Sequence, residues 1–211
     1  IYSRSKLPAN DEEALQDSMI QRVKNQLKIR TEDVSFVIDE LKIMFEKDKR
    51  FSKVADFDNI GIFGHSFGGC TSIMSAYNDT RIDAVLGLDA YFLPLPKEII
   101  KKDLNTPFVH LGQVSWGDSD NYEVMSELGK SSNREFYHFA IEGSKHNDYT
   151  DFSQFTKLTR KFGSGKISPK SIRYIMNDVM LGFFDYHLKN RSIFDHNQYQ
   201  KKYESVKTYV Y

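Results

Sequence analysis

The sequence predicts an α/β protein whose open, mostly parallel sheet is covered by helices on both faces. Three observations predict it. Short apolar runs bounded by turn residues alternate with stretches of helical periodicity. The first of these runs enters a glycine-rich turn and then a helix-compatible segment. The 211 residues suit one sizeable domain and are too few for two.

Asp11 to about Lys47 reads as helix, broken once. Asn10 or Asp11 can cap it, and Glu12 and Glu13 place negative charge in the first turn, where the helix dipole favours it. Leu15, Met19, Val23 and Leu27 recur at four-residue steps, and Val34, Val37, Ile38, Leu41 and Phe45 form a second apolar face; both read as core-facing. The period then changes. Asn59 to Gly64, Ile82 to Leu88, Pro107 to Gln113 and Glu135 to Ile141 are short and apolar, as buried parallel strands are. Cys70 to Tyr77 and Val124 to Leu128 are helix-compatible insertions between them. Ser168 to Asn190 is a final amphipathic helix, with Ile172, Ile175, Met176, Val179 and Phe183 on one face. Lys161 to Lys166 is the best loop candidate.

Hydrophobic residues at 40%, with 12 Tyr and 16 Phe, describe a packed core. The 29 basic and 29 acidic residues cancel, which argues against nucleic acid or an anionic membrane as partner. No stretch approaches the roughly 18 consecutive apolar residues of a membrane span. Cys70 is the only cysteine, so no intrachain disulfide forms, and it reads as a small packing residue. Ile1 to Asn10 lacks the marks of a secretory signal and resembles the interior of a domain.

Gly64-His65-Ser66-Phe67-Gly68-Gly69 carries the chemistry. It fits G-x-S-x-G between a strand and a helix, the context in which the α/β-hydrolase fold lifts a serine hydroxyl clear of its sheet. Side chains at 64 or 68 are expected to collide with the neighbouring strand or helix. Ser66 is then the nucleophile, and the Phe67 N–H, at the amino end of a helix, points at a developing oxyanion. A serine hydroxyl needs a base beside it, and the fold supplies a histidine after the last strand. His146, five residues beyond Ile141, fits; the other histidines lie within the elbow, within strands or too late. For the acid, Asp89 ends the second strand while Asp118 and Asp120 follow the third, and position alone leaves these open. His65, Tyr91, Trp116 and Tyr149 are the candidates for binding substrate, with Phe152 beside them. No metal or cofactor is implied.

The elbow, Leu88-Asp89-Ala90 at 23 residues after the serine, and Gly143-Ser144-Lys145-His146 together resemble the platelet-activating-factor acetylhydrolase family. These are serine-type, calcium-independent phospholipase A2 enzymes with secreted bacterial esterase relatives. The similarity runs from about Gln21 to Lys189 and includes Arg30, Asp33, Phe36, Val37 and Asp39, and later Phe183-Phe184-Asp185-Tyr186-His187-Leu188. The resemblance implies Asp89 as the acid, a small ester or phospholipid substrate with a short acyl group such as acetyl, and an extracellular location, with the cytoplasm as the alternative. Trp116-Gly117-Asp118 is closer to general dienelactone-hydrolase-like esterases, and Tyr91 stands where the mammalian enzymes have tryptophan. A general carboxylesterase is therefore the competing expectation, and a hydrolase-shaped binding protein a third. Only one strand precedes Ser66. Residues 1–211 are thus expected to be the C-terminal part of a single α/β-hydrolase domain, with the early strands and the second oxyanion donor on a separate amino-terminal fragment.

Overall fold

Strands β1 (Ile60–His65), β2 (Ile82–Leu88), β3 (Phe108–Gln113) and β4 (Phe136–Ile141) lie side by side in chain order, all parallel, and β5 (Val206–Val210) adds antiparallel to β4. The computed structural model describes residues 12–48, 50, 54–116, 120–155, 157–191 and 193–211. The helices are α1 (Glu12–Lys47), α2 (Phe67–Asn78), α3 (Lys97–Ile100), α4 (Asp120–Ser131), α5 (Phe152–Phe155), α6 (Pro169–Lys189) and α7 (His196–Lys202). Short 3-10 stretches occupy His146–Tyr149 and Lys157–Phe162.

Successive strand residues face opposite sides of the sheet, and each side has its own core. Val85 and Phe108 pack with Cys70, Ile73, Met125 and Leu128 from α2 and α4, with Leu27 of α1 reaching in behind. Ala84, Leu86, Val109 and Phe139 pack instead on Ile172, Ile175, Val179 and Phe183 of α6. The α6 face is the one its periodicity predicts. Ser168 starts that helix by accepting the Ser171 N–H at 3.0 Å, Pro169 sits at the first helical position, and Asn190 ends it in the left-handed region. Burial pushes the Cys70 thiol well above its ordinary pKa, in keeping with a packing role.

The register carries the carboxyl ends of the parallel strands to one edge. His65 pairs with Leu88, and Gln113 with Ile141. Ser66, Asp89 and the loop holding His146 therefore leave the sheet on the same side, the side where this class of sheet binds ligands.

Several expectations need correction. Helix α1 is unbroken. Of its second apolar face, Val34 and Ile38 pack against the core, whereas Val37 is 49% and Leu41 37% exposed. Arg81 bridges Asp79 and Asp39 at 2.6 and 2.5 Å, and Ser35 donates to Asp79 at 2.9 Å. Lys161 and Phe162 belong to a 3-10 turn rather than a loop. Strand β5 was not foreseen, so β4 is the last parallel strand but not the last strand. Among the described residues β1 pairs only with β2, and Phe63 on this edge strand is 56% exposed.

Candidate active site

The turn after β1 is built as the glycine pattern requires, with one exception. Ser66 has φ 57° and ψ −122°, an unfavourable conformation for a residue with a side chain. Three N–H groups hold it there: Gly69, Cys70 and Tyr91 all donate to the Ser66 carbonyl, at 3.0, 3.4 and 3.0 Å. Its own N–H donates to Leu88 O at 3.0 Å. A Cβ at Gly64 would overlap the Gly68 carbonyl, and one at Gly69 would overlap the Ala90 methyl group. Gly68, expected to be constrained, has no atom within 4 Å of where its Cβ would be. The crowded pair is Gly64 and Gly69.

The Ser66 hydroxyl lies 3.0 Å from His146 Nε2, and His146 Nδ1 lies 2.7 Å from Asp89 Oδ2. These residues are 80 and 57 positions from His146 in the chain. Asp89 is wholly buried and also has positive φ, 43°. Helix α2 begins at Phe67, directly after the serine, so its amino end faces the same space.

A family model described as platelet-activating factor acetylhydrolase, isoform II, matches residues 12–209. The chain belongs to the platelet-activating factor acetylhydrolase isoform II family. The platelet-activating factor acetylhydrolase of Gallus gallus is 28% identical over 143 residues, which covers 66% of this chain and 34% of the relative. That of Canis lupus familiaris is 28% identical over 166 residues, covering 77% and 35%. The chain spans about a third of the length of the curated relatives it matches. Among solved structures, a ferulic acid esterase from Streptomyces cinnamoneus superposes with a TM-score of 0.66 at 23% identity, over 81% of this chain and 51% of that one. This likeness is one of fold, and the sheet with its two helical layers is that of an α/β-hydrolase.

In this family member Asp89 accepts from more than His146. Gln113 donates its backbone N–H to Oδ1 at 3.1 Å and its side-chain amide to Oδ2 at 2.9 Å, and the Trp116 indole N–H donates to Oδ1 at 3.0 Å. Four hydrogen bonds thus fill the carboxylate's acceptor sites. Gln113 is absent from the sequence-derived candidates, and its only sequence signal is its place at the carboxyl end of a parallel strand. Asp118 lies outside the described residues. Asp120 starts α4.

The four candidate substrate contacts divide. Trp116 packs edge-on against His146 at 5.1 Å and stacks on Tyr91 at 5.8 Å, so these two rings border the Ser66 side of the sheet. His65 turns toward the loop instead. Its Nε2 lies 3.0 Å from the His146 carbonyl oxygen and its ring 4.4 Å from the His146 ring, so it packs against that residue. Burial, and then the neighbouring His146 imidazole, hold the His65 pKa below its ordinary value, so it is neutral and donates. Tyr149 is 3% exposed, and its hydroxyl lies 2.8 Å from Ser144 Oγ. It packs into the α6-side core and lines no groove, because the 3-10 turn after His146 rotates it inward.

Proposed function

We propose that this protein is a serine esterase, and the observation that carries the reading is the Ser66–His146–Asp89 hydrogen-bonded chain. His146 Nε2 takes the Ser66 proton as Oγ attacks the ester carbonyl carbon. The negative charge that forms on the carbonyl oxygen is met by the Phe67 N–H at the start of α2. Collapse of the tetrahedral adduct expels the alcohol, which takes the proton back from His146 and leaves an acyl group on Ser66. Water activated by the same imidazole then releases the acid. Asp89 holds His146 with its Nδ1 protonated, so that Nε2 is free to accept.

The substrate class comes from the family: carboxylic esters with short acyl groups, and the acetyl ester of platelet-activating-factor-like phospholipids in particular. Trp116 and Tyr91 would then wall the space above His146. The test is hydrolysis by the full-length protein of p-nitrophenyl acetate and of an acetyl-bearing ether phospholipid without calcium. Both activities should vanish in Ser66→Ala. Turnover of the soluble ester without acetate release from the lipid would instead favour a general carboxylesterase, the alternative that the Trp116 loop suggests.

The open edge of β1 supports a second part of the reading: further strands of the same protein complete the sheet there. Such strands would cover Phe63 and satisfy the outer N–H and C=O groups of β1. A loop among them would bring the second oxyanion donor.

A further inference from the structure

A buried carboxylate that receives four hydrogen bonds divides its negative charge among four donors. At Asp89 only one of the four is the base. The other three come from two residues, Gln113 and Trp116, at the end of β3 and in the loop after it. We propose that Gln113 and Trp116 are positioning residues that set the strength of the Asp89–His146 contact and thereby the pH at which His146 becomes available as a base. The proposal rests on the triad assignment above and goes beyond it.

The geometry leaves these donors little other purpose. The Gln113 side-chain amide and His146 Nδ1 converge on the same oxygen, at 2.9 and 2.7 Å. Trp116 keeps its indole N–H on Oδ1 while its ring edges against His146, so it touches both members of the pair. Tyr122 of α4 fixes the strand end by donating to the Gln113 carbonyl at 2.5 Å. The other titratable groups around the pair are held uncharged or are engaged elsewhere. His65 is neutral, His138 on β4 is driven by burial down to about 4, and burial raises the Tyr122 and Tyr149 hydroxyls. His110 accepts from Ala90, and the Asp148 carboxylate accepts the N–H groups of Lys145 and Gly165 at 2.9 and 2.6 Å. Among the described residues Asp89 is the charged group paired with the imidazole, at 2.7 Å.

Removing one of the other donors should make Asp89 lean harder on His146. The imidazolium is then favoured and persists to higher pH. In Trp116→Phe the ring stack survives and the donor is lost; in Gln113→Met the side-chain length survives and the amide is lost. For each, the acidic limb of the pH–kcat/KM profile of the full-length protein should move up by roughly half a unit to one unit, as loss of a hydrogen bond to a charged group would do. Fluorotryptophan in place of tryptophan leaves the shape unchanged and makes the N–H a stronger donor, so it should move the limb down. A groove-wall role for Trp116 alone would raise KM and leave the limb in place. An unmoved limb in both variants, or in whichever of them melts cooperatively, together with no response to fluorotryptophan, would overturn the proposal. Labelling by a fluorophosphonate separates this from the parent reading: if Ser66 still takes the label, only the role of Gln113 and Trp116 has failed.

Discussion

His110 Nε2 accepts the N–H of Ala90 at 3.1 Å, which ties the middle of β3 to the residue that follows the strained Asp89. An imidazole that accepts through Nε2 is neutral and carries its proton on Nδ1, and that atom has no hydrogen-bond partner among the described residues. His138 lies 5.0 Å away ring to ring, with its own Nε2 also unpartnered. Two buried neutral histidines therefore stand behind the turn that carries Asp89.

Stability should fall as this pair is asked to ionise. Burial lowers the His110 pKa well below its ordinary value, with His138 adding to the effect, and lowers His138 to about 4. In the unfolded chain both titrate near about 6.5, so below that pH the unfolded state binds more protons than the folded one. Stability is fully present above about 6.5 and is lost as pH falls toward about 4, by up to roughly 1.4 kcal/mol per pH unit for each histidine. Urea melts between pH 7 and pH 4 check this. His138→Phe should flatten the slope and raise stability at pH 5, since it removes a buried polar atom without a partner.

The two kinds of glycine in the elbow should separate under substitution. Gly68→Ala meets no atom and lies in the first turn of α2, so it should leave the melting temperature unchanged or raise it, alanine being favoured over glycine in helices by up to about 1 kcal/mol. Gly64→Ala and Gly69→Ala each drive a methyl group into the backbone or into Ala90, and both should melt markedly lower. Equal losses at all three positions would contradict the geometry.

Asp89→Asn should cost about four orders of magnitude in turnover, because the amide stabilises the wrong imidazole tautomer. Asp118→Asn should keep most of the activity. Stopped or steady-state assays on a chromogenic acetate ester distinguish the two, and the reverse pattern would transfer the acid to the loop after β3.

Residues 1–211 expressed alone should aggregate or melt without cooperativity, because among the described residues β1 pairs only with β2 and Phe63 offers an exposed ring. Analytical ultracentrifugation and thermal melting of residues 1–211 test this. A monomeric, cooperatively melting, active fragment would refute the completion of the sheet at β1.

Much of this architecture was legible because it depends on local pattern. β2 runs from Ile82 to Leu88 as its apolar stretch indicates, and α6 buries the five residues its periodicity selects. Strand β5 escaped because it is an edge strand: of its five residues only Val206 is buried, so no continuous apolar run announces it. The exposed part of α1 shows the opposite failure, an apolar stripe that nothing covers among the described residues. At the site, the meeting of Ser66 and His146 at 3.0 Å was legible because glycines and strand order frame them. Tyr149 misled because a half-turn decides whether a ring meets a groove or a core. Gln113 carried only its strand-end position as a signal, since a glutamine there becomes informative only once the neighbouring strand brings Asp89 beside it.

The central claim is that Ser66 is the covalent nucleophile, and the most direct measurement is the site of its covalent adduct. The full-length protein is treated with a fluorophosphonate, digested, and its peptides mapped by mass spectrometry. The label should appear on Ser66 alone, in the peptide holding Gly64-His65-Ser66-Phe67-Gly68, and should disappear in Ser66→Ala and fall sharply in His146→Ala. A label on another residue, or labelling that survives Ser66→Ala, would contradict the account.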